Sequence, residues 1–282
     1  MNRKANPFFK SIQMILVTLG VCLFQPLHAQ SGNLKSWVWQ LGAGNTYLYD
    51  DYLSPLPHEG ASLLFSSTAT KPLKWGLADS PDHSFENAKW TNQFNLTLTS
   101  VYAQSKAGSN MFHGNMELKN SLIRQVFHRP NWSASAGTFL LLGSGGRYCL
   151  QNGNNPGSLD AYLDFGLTVL GNYSFIFWQK PFKLTYQGSL ALSGLAFSPE
   201  YAESYFEIFY LKNNKNILKY THPLNNQHWM QQLSLDVPLA HRKSSLRLSI
   251  CNDGHVTLFN SIRTRVLSTH FSAGYIRYFK TF

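Results

Sequence analysis

Apolar and polar residues alternate along much of the chain, and the clearest stretch runs from Phe182 to Leu195. One face of this stretch carries Phe182, Leu184, Tyr186, Gly188, Leu190, Leu192 and Gly194, and the other carries Lys183, Thr185, Gln187, Ser189, Ala191 and Ser193. A period of two residues predicts a β-strand with one apolar face. Strands of soluble sandwiches average about 5–6 residues, whereas a tilted membrane strand needs about 9–11. The length therefore favours a membrane-spanning strand.

The same alternation recurs in residues 94–99, 163–177, 232–239 and 246–251. Its apolar face consists of Leu, Phe, Val and Tyr, and its polar face consists mainly of Ser, Thr, Asn and Gln. Apolar side chains suit lipid, and uncharged polar side chains suit a crowded or water-filled lumen. A soluble barrel would need the inverse arrangement, with an uncharged outer surface that serves solubility badly. We therefore predict lipid on the outside, with a soluble secreted β-sandwich as the second alternative.

Turn-forming residues separate these segments, for example Arg129-Pro130-Asn131, Gln179-Lys180-Pro181 and Asn252-Asp253-Gly254. The spacing predicts an all-β fold, a single transmembrane antiparallel β-barrel of about twelve strands, within a range of about ten to fourteen. No change in composition divides the body of the chain. One barrel domain is therefore predicted for residues 31–282.

The N-terminus has the pattern of a secretion signal. Arg3, Lys4 and Lys10 precede an apolar run over residues 12–24, and the small residue Ala29 follows. The run is too short to span a membrane, so we predict a signal peptide over residues 1–30, cleaved near Ala29 or Gln30. Export leaves Cys149 and Cys251 in the mature chain, and whether they pair stays open.

Only 13% of the 282 residues are charged, about half the usual fraction of about 25%. This composition excludes a disordered tail and a coiled coil. The net charge of +10 comes from scattered basic residues, so no nucleic acid is expected as a partner. A basic rim facing anionic lipid fits better, which makes outer-membrane lipid and lipopolysaccharide the expected partners.

The chain ends in Phe282, and steps of two back from it reach Tyr278 and Gly274. This pattern resembles the C-terminal β-signal of outer-membrane barrels, although Lys280 departs from its apolar preference. The resemblance implies that Phe282, Tyr278 and Gly274 form an assembly signal, which the barrel-assembly machinery engages by strand pairing.

Three further blocks resemble an uncharacterised family of Bacteroidota outer-membrane proteins, a domain of unknown function. They are Tyr52-Leu53-Ser54-Pro55-Leu56-Pro57 with Gly60, Asn152-Gly153-Asn154-Asn155-Pro156, and Ser198-Pro199-Glu200-Tyr201 with Ser204-Tyr205-Phe206-Glu207-Ile208-Phe209. The resemblance implies a barrel in the outer membrane of a Gram-negative bacterium. It implies no activity.

Several acids are candidates for a role in the lumen or the loops. Glu207 lies in an apolar segment predicted to be a strand. It would act there as an acid/base or an ion ligand, or it would pair with Arg247 or Arg277. Glu200 and Glu203 lie on a Pro-containing turn, where stabilisation of the loop is the default role.

Asp160 and Asp164, together with Asn152–Asn155, offer oxygen ligands of the kind that calcium takes. Their spacing matches no calcium loop, so we predict neither a metal nor a cofactor. The glycines Gly143, Gly145 and Gly146 lack the Lys-Ser/Thr of a phosphate loop and predict a bend in a barrel strand.

The ten histidines and the many serines show no catalytic spacing, and no Gly-x-Ser-x-Gly or His-Glu-x-x-His motif occurs. The catalytic residues, if any, are therefore unknown. The leading hypothesis is a non-enzymatic barrel, which is a small or plugged pore or a scaffold for surface or periplasmic partners, and its small-molecule solute is unknown. The alternative is a lipid-modifying enzyme, similar to a phospholipase or an acyltransferase.

Overall fold

A computed structural model describes residues 34–73, 90–153, 156–200, 204–212, 216–239 and 243–280. The predicted signal peptide, Glu203 and Phe282 lie outside these ranges. The elements, in chain order, are β1 (Leu34–Asp50), β2 (Ser54–Leu73), β3 (Trp90–Ser105), β4 (Asn110–His128), β5 (Trp132–Cys149), β6 (Gly157–Phe177), β7 (Lys180–Phe197), α1 (Tyr205–Phe209), β8 (Leu218–Thr221), β9 (Asn226–Pro238), β10 (Ser244–Phe259) and β11 (Ile262–Lys280). None of the helices in these ranges is long and apolar enough to cross a membrane.

Ten strands close into one antiparallel barrel. Each strand from β1 to β7 pairs with the next, β7 pairs with β9, and the series continues through β10 and β11 back to β1. The short β8 is an eleventh strand that pairs only with the last four residues of β7. Closure satisfies the backbone groups that an open sheet would leave unpaired at its edges. The prediction of a single all-β barrel is confirmed, with a strand number inside the expected range.

Side chains alternate between the outer surface and the lumen, as β6 shows. Its outward residues Leu163, Leu167 and Val169 are exposed, whereas its inward residues Asp164 and Thr168 are buried. The backbone pleat alone produces this alternation. The predicted arrangement, with the apolar face outward and the polar face inward, is therefore present.

The alternation predicted for β7 fails at one point. The register of β7 against β6 shifts at Leu192, which has no partner on β6. Such a β-bulge adds one residue to one strand and exchanges the two faces beyond it. Gly194 pairs with the inward residue Asp164, so Gly194 faces the lumen. The prediction that Gly194 shares the apolar face of Leu190 is wrong for this reason.

The barrel has two ends, which we name by the chain. The terminal end holds the start of β1 and the end of β11, and the far end holds α1. Aromatic side chains form contacts near both ends: Trp37 stacks on Trp39 near the terminal end, and Tyr102 contacts Phe112 near the far end. Two such bands are typical of membrane barrels at the headgroup levels.

Along β11, Gly274 and Tyr278 face the lumen, on the same side as the buried Ile276. The outward face of this part of the strand is formed by Tyr275, Arg277 and Phe279. The assembly signal on Gly274, Tyr278 and Phe282 stays a prediction, and two of its three residues lie on the inner face of the strand.

Candidate functional site

A group of polar side chains crosses the lumen in the half of the barrel nearer the far end. We call it the lumenal cluster, and its members are Asn115, Glu117, Tyr162, Asp164, Asn226, His228, Asp253 and His255. They come from β4, β6, β9 and β10, and β4 and β10 lie on opposite sides of the ten-stranded ring. All are inward residues of their strands, so the period of two places them in the lumen, and strand register places them at one level.

His228 lies at the centre of the cluster and is fully buried. Its Nδ1 lies 2.9 Å from Asp164 Oδ2, and Asp164 Oδ1 accepts a hydrogen bond from Asn226 Nδ2 at 3.0 Å. A carboxylate on one ring nitrogen keeps the proton there and fixes the ring orientation. The Nε2 atom of His228 is therefore directed at a defined point in the lumen.

Two carboxylates flank that point. Nε2 of His228 lies 3.7 Å from Glu117 Oε1 and 3.7 Å from Asp253 Oδ1, and it has no hydrogen-bond partner. A separation of 3.7 Å is too long for a hydrogen bond. The three atoms thus surround a small space in the lumen that is not bridged by a hydrogen bond from Nε2.

Hydrogen bonds hold the same oxygen of Glu117 that lies near His228. The Tyr162 hydroxyl donates to Glu117 Oε1 at 2.6 Å, and Asn115 Nδ2 donates to the same oxygen at 3.2 Å. The Tyr162 ring lies against Gly143, where a Cβ would overlap it. Gly143 was predicted to bend the strand, and in the structure it makes room for the ring that positions Glu117.

His255 packs on His228, with ring centroids 4.3 Å apart and an angle of 15° between the planes. Its Nε2 lies 2.9 Å from Asn226 Oδ1. The Asn226 amide gives its N–H to Asp164 and therefore accepts from His255. Both imidazole rings are thus held by the same amide and carboxylate pair.

A second set of charges lies toward the far end. Arg147 Nε lies 2.8 Å from Asp50 Oδ2, and the Arg147 guanidinium also bonds Asp160. Arg147 and Asp50 are buried. Tyr205 of α1 lies above them, where its hydroxyl accepts from the Leu159 backbone N–H at 2.7 Å, and burial raises the pKa of the Tyr205 phenol. These contacts narrow the lumen toward α1, where a cavity of about 50 Å³ is lined by Tyr162 and His255 as well as by Arg147 and Tyr205.

Cavities reach the cluster from the opposite direction. A chamber of about 120 Å³ is lined by Glu117, Asp253 and His255, and a vestibule of about 290 Å³ lies at the terminal end. The two share lining residues, among them Gln93 and Gln187. A path lined by amides and hydroxyls therefore leads from the terminal end to the cluster.

Glu207 is not on a strand, so the prediction of an acid inside an apolar strand is wrong. It is the third residue of a capping box at the start of α1, where its carboxylate accepts from the Ser204 N–H at 2.7 Å and from the Ser204 hydroxyl at 2.9 Å. These bonds lower the pKa of Glu207. The pairing predicted for it is also wrong, because Arg247 binds Asp236 at 2.6 and 2.8 Å and Arg277 faces outward over Phe279.

The other predicted residues divide between the two charged sets and the loops. Asp164 belongs to the lumenal cluster, Asp160 binds Arg147, and Glu200 is exposed and accepts from Asn216 Nδ2 at 3.0 Å. Asn152 donates to the Leu53 carbonyl at 3.0 Å. Asn152, Asp160 and Asp164 therefore do not meet as the oxygen ligands of one calcium ion, and Asn154 and Asn155 lie outside the described residues. Cys149 and Cys251 are both free.

Sequence reasoning did not single out Glu117, and it named His228 and His255 only among histidines without catalytic spacing. The turn predicted at Asn252-Asp253-Gly254 is wrong, because these residues lie within β10 and Asp253 faces the lumen. The available signal for the two histidines was their inward position, because His228 and His255 occupy paired positions on β9 and β10. The level at which Glu117 meets them depends on the whole barrel.

A closed antiparallel barrel with an apolar outer face, aromatic bands and a polar lumen belongs to the class of outer-membrane β-barrels. Within that class, the chain belongs to the family described as Protein of unknown function (DUF3316), whose profile matches residues 15–282. The fold is similar to that of the outer membrane protease OmpT from Escherichia coli, with a TM-score of 0.51 and 8% identity over 90% of this chain and 99% of that chain. The transport unit of the autotransporter AIDA-I from Escherichia coli gives a TM-score of 0.44 and 7% identity over 98% of this chain and all of that chain. No curated protein matches the chain.

Proposed function

We propose that this protein is a plugged outer-membrane barrel, which keeps a polar chamber accessible from one end and conducts no ions. The proposal rests on one observation: side chains from opposite walls of the barrel come into contact at the lumenal cluster. Glu117 on β4 and Asp253 on β10 both approach His228 to 3.7 Å. Side chains this close leave no continuous water column at that level.

Other contacts across the lumen support the same function. Lys119 Nζ reaches Ser189 at 3.3 Å from β4 to β7, and the amides of Gln93 and Gln187 bond each other at 2.7 Å between β3 and β7. The ion pairs of Arg147 add a further barrier toward α1. Hydrogen bonds hold these side chains in place, so they narrow the lumen beside the path that leads from the terminal end to the chamber.

Planar-bilayer recording tests the proposal. The refolded protein is reconstituted into vesicles, its incorporation is checked by flotation, and the vesicles are fused to the bilayer. We expect no conductance above that of protein-free vesicles. Steady, ohmic conductance from the wild-type protein would overturn the proposal.

We further propose the location and contacts of the barrel. Its apolar outer face and two aromatic bands suit the outer membrane of a Gram-negative bacterium, and the blocks resembling Bacteroidota sequences favour that group. The connection between β7 and β9, which contains α1, lies at the far end. Membrane barrels carry their longer loops on the outside of the cell, which favours placing the far end there. Lipid and lipopolysaccharide would then contact the outer face, and the assembly machinery would engage β11. N-terminal sequencing of protein from isolated outer membranes tests the location together with cleavage near Ala29 or Gln30.

A second candidate function rests on one pair near the far-end rim. His58 Nε2 lies 3.2 Å from the Ser109 hydroxyl, which is the contact that a serine nucleophile requires. No carboxylate of the described residues pairs with the other ring nitrogen of His58. The lumenal cluster itself faces away from lipid. Phospholipid hydrolysis that is present in wild type and lost in Ser109→Ala would establish this second function, and equal rates in both would remove it.

A further inference from the structure

We propose that Glu117, His228 and Asp253 form a binding site for one divalent transition-metal ion in the lumen. The chemistry is that of one imidazole nitrogen and two carboxylate oxygens, a donor set that Zn²⁺ takes. The sequence carries no metal motif at these positions, and their spacing predicted none. The proposal is independent of whether the barrel conducts.

The distances fit an ion placed between the three atoms. His228 Nε2 lies 3.7 Å from each carboxylate oxygen, and all three atoms lie within 4.8 Å of one another. A point equidistant from atoms at these separations lies about 2.0–2.4 Å from each, which covers the Zn–N and Zn–O bond lengths of about 2.0–2.2 Å. The ligands therefore need only small adjustments.

His228 is prepared as a ligand. Asp164 occupies its Nδ1 at 2.9 Å, and Nε2 is buried without a hydrogen-bond partner. Histidines that bind metals commonly give their other ring nitrogen to a carboxylate, which fixes the tautomer and raises the basicity of the ligand. The Asp164–His228 pair has this arrangement. Tyr162 and Asn115 fix Glu117 as well, because both donate to Oε1, the oxygen that would bind the ion.

The charge balance calls for a cation at this point. Among the described residues, this half of the lumen holds the basic side chains Arg147 and Lys119, besides its histidines, and five carboxylates, Asp50, Glu117, Asp160, Asp164 and Asp253. Arg147 is already bound by two carboxylates, Asp50 and Asp160. Buried carboxylates that lack a compensating charge are costly. A divalent ion between Glu117 and Asp253 would offset most of this excess of negative charge.

The site has access and an open side. Glu117 and Asp253 line the chamber of about 120 Å³, and the Asp253 side chain is 36% exposed. An ion could therefore enter from the terminal end, and its fourth position would face the chamber. Three protein ligands with one open position are typical of zinc sites that bind water or a substrate.

A protonated His228 without a metal is the competing arrangement. An imidazolium would be expected to donate from Nε2 to one carboxylate at about 2.7–2.9 Å. Instead, Nε2 is equally far from both oxygens, at 3.7 Å. This symmetry suits an ion that bonds all three atoms.

The test uses the full-length protein refolded in detergent, stripped with EDTA and titrated with Zn²⁺ in a calorimeter. We expect one zinc ion per chain. Glu117→Gln and Asp253→Asn preserve side-chain size, and each replaces a ligand, so each should weaken binding at least as much as the loss of a supporting contact does, about 10–100-fold. Asp164→Asn, which alters only the support of His228, should weaken it about 10–100-fold. His270→Ala is the matched control, because His270 is a buried lumenal histidine with an unpartnered Nε2 outside the ligand set.

Zinc-edge X-ray absorption on the loaded protein gives a second readout. One imidazole and two carboxylates at about 2.0–2.2 Å would support the site. Two outcomes would overturn the proposal. One is the absence of zinc binding by wild type. The other is equal affinity in wild type and Asp253→Asn, which would assign the zinc to other histidines of the protein. His228→Ala serves as a further ligand deletion, and far-UV circular dichroism checks the folding of every variant.

Discussion

Leu190 tests which face of the wall meets lipid. It points outward from β7, with 47% of its surface exposed, and it pairs with Leu167 on β6 and Trp229 on β9. An arginine on the lipid face costs about 2–4 kcal/mol near the bilayer midplane. Leu190→Arg should therefore lower the free energy of unfolding by an amount in that range.

The matched change lies on the inner face of the same strand. Gln187 lines the chamber, and its amide bonds Gln93 at 2.7 Å. Gln187→Arg loses that bond, which costs about 0.5–1.5 kcal/mol, but it leaves the new charge in a polar cavity. Ser189 is a poor control, because an arginine there would meet the ammonium of Lys119, 3.3 Å from the serine hydroxyl.

Urea unfolding of the barrel in phospholipid vesicles, followed by fluorescence of its seven tryptophans, measures both costs. Leu190→Ala shows how much of the loss comes from removing the leucine alone. We expect Leu190→Arg to exceed Gln187→Arg by about 2 kcal/mol, or about 30-fold in the unfolding constant. Equal costs for the two arginines would contradict the assignment of the faces.

Three further predictions follow from the polar contacts. Tyr162→Phe removes the hydroxyl that donates to Glu117 at 2.6 Å and should cost about 1.5–3 kcal/mol in the same unfolding assay, as expected for a bond to a charged group; a neutral result would refute the contact. Arg147→Ala leaves Asp50 buried without its partner and should cost about 3–5 kcal/mol, and Arg147→Ala with Asp50→Ala should cost less than the sum of the single changes. The interactions that lower the pKa of Glu207 stabilise α1 above the ordinary glutamate pKa of about 4.3, and this stabilisation is lost as the pH falls through the lower folded value. The protection factors of the α1 amides, which correct for the intrinsic slowing of exchange in acid, should therefore fall below about pH 4 in wild type. The same fall in Glu207→Gln would contradict this.

Much of the wall could be predicted from the sequence, because the period of two that defines a strand is a local property. The outward face of β6 follows from residues 163–169 alone. The bulge at Leu192 could not be predicted, because it is a mismatch in register between β7 and β6. The segment 205–209 was misassigned because its aromatic residues favour a strand, while Ser204 and Glu207 form the capping box that starts a helix.

The site was harder to predict than the wall. Asp164 was recognised as a candidate, but its partner His228 lies 64 residues away. Alternation shows that a residue faces the lumen, and it carries no information on the height that the residue occupies along the barrel axis. That height depends on the register of every strand between β4 and β10. Glu117 therefore meets His228 and Asp253 only once the ring has closed.

The net charge of the chain does not describe the charge inside the lumen, for a geometric reason. The chain carries +10, which predicts attraction to anionic partners, and carboxylates outnumber the arginine and lysine side chains in the half of the lumen around His228. The barrel wall separates the two regions, and a narrow cavity with low-dielectric walls concentrates the field of the charges that line it. The electric field that acts on an ion inside the chamber therefore comes mainly from Glu117, Asp164 and Asp253, and less from the basic residues of the exterior. For this reason a protein that is basic as a whole can draw a cation into its lumen.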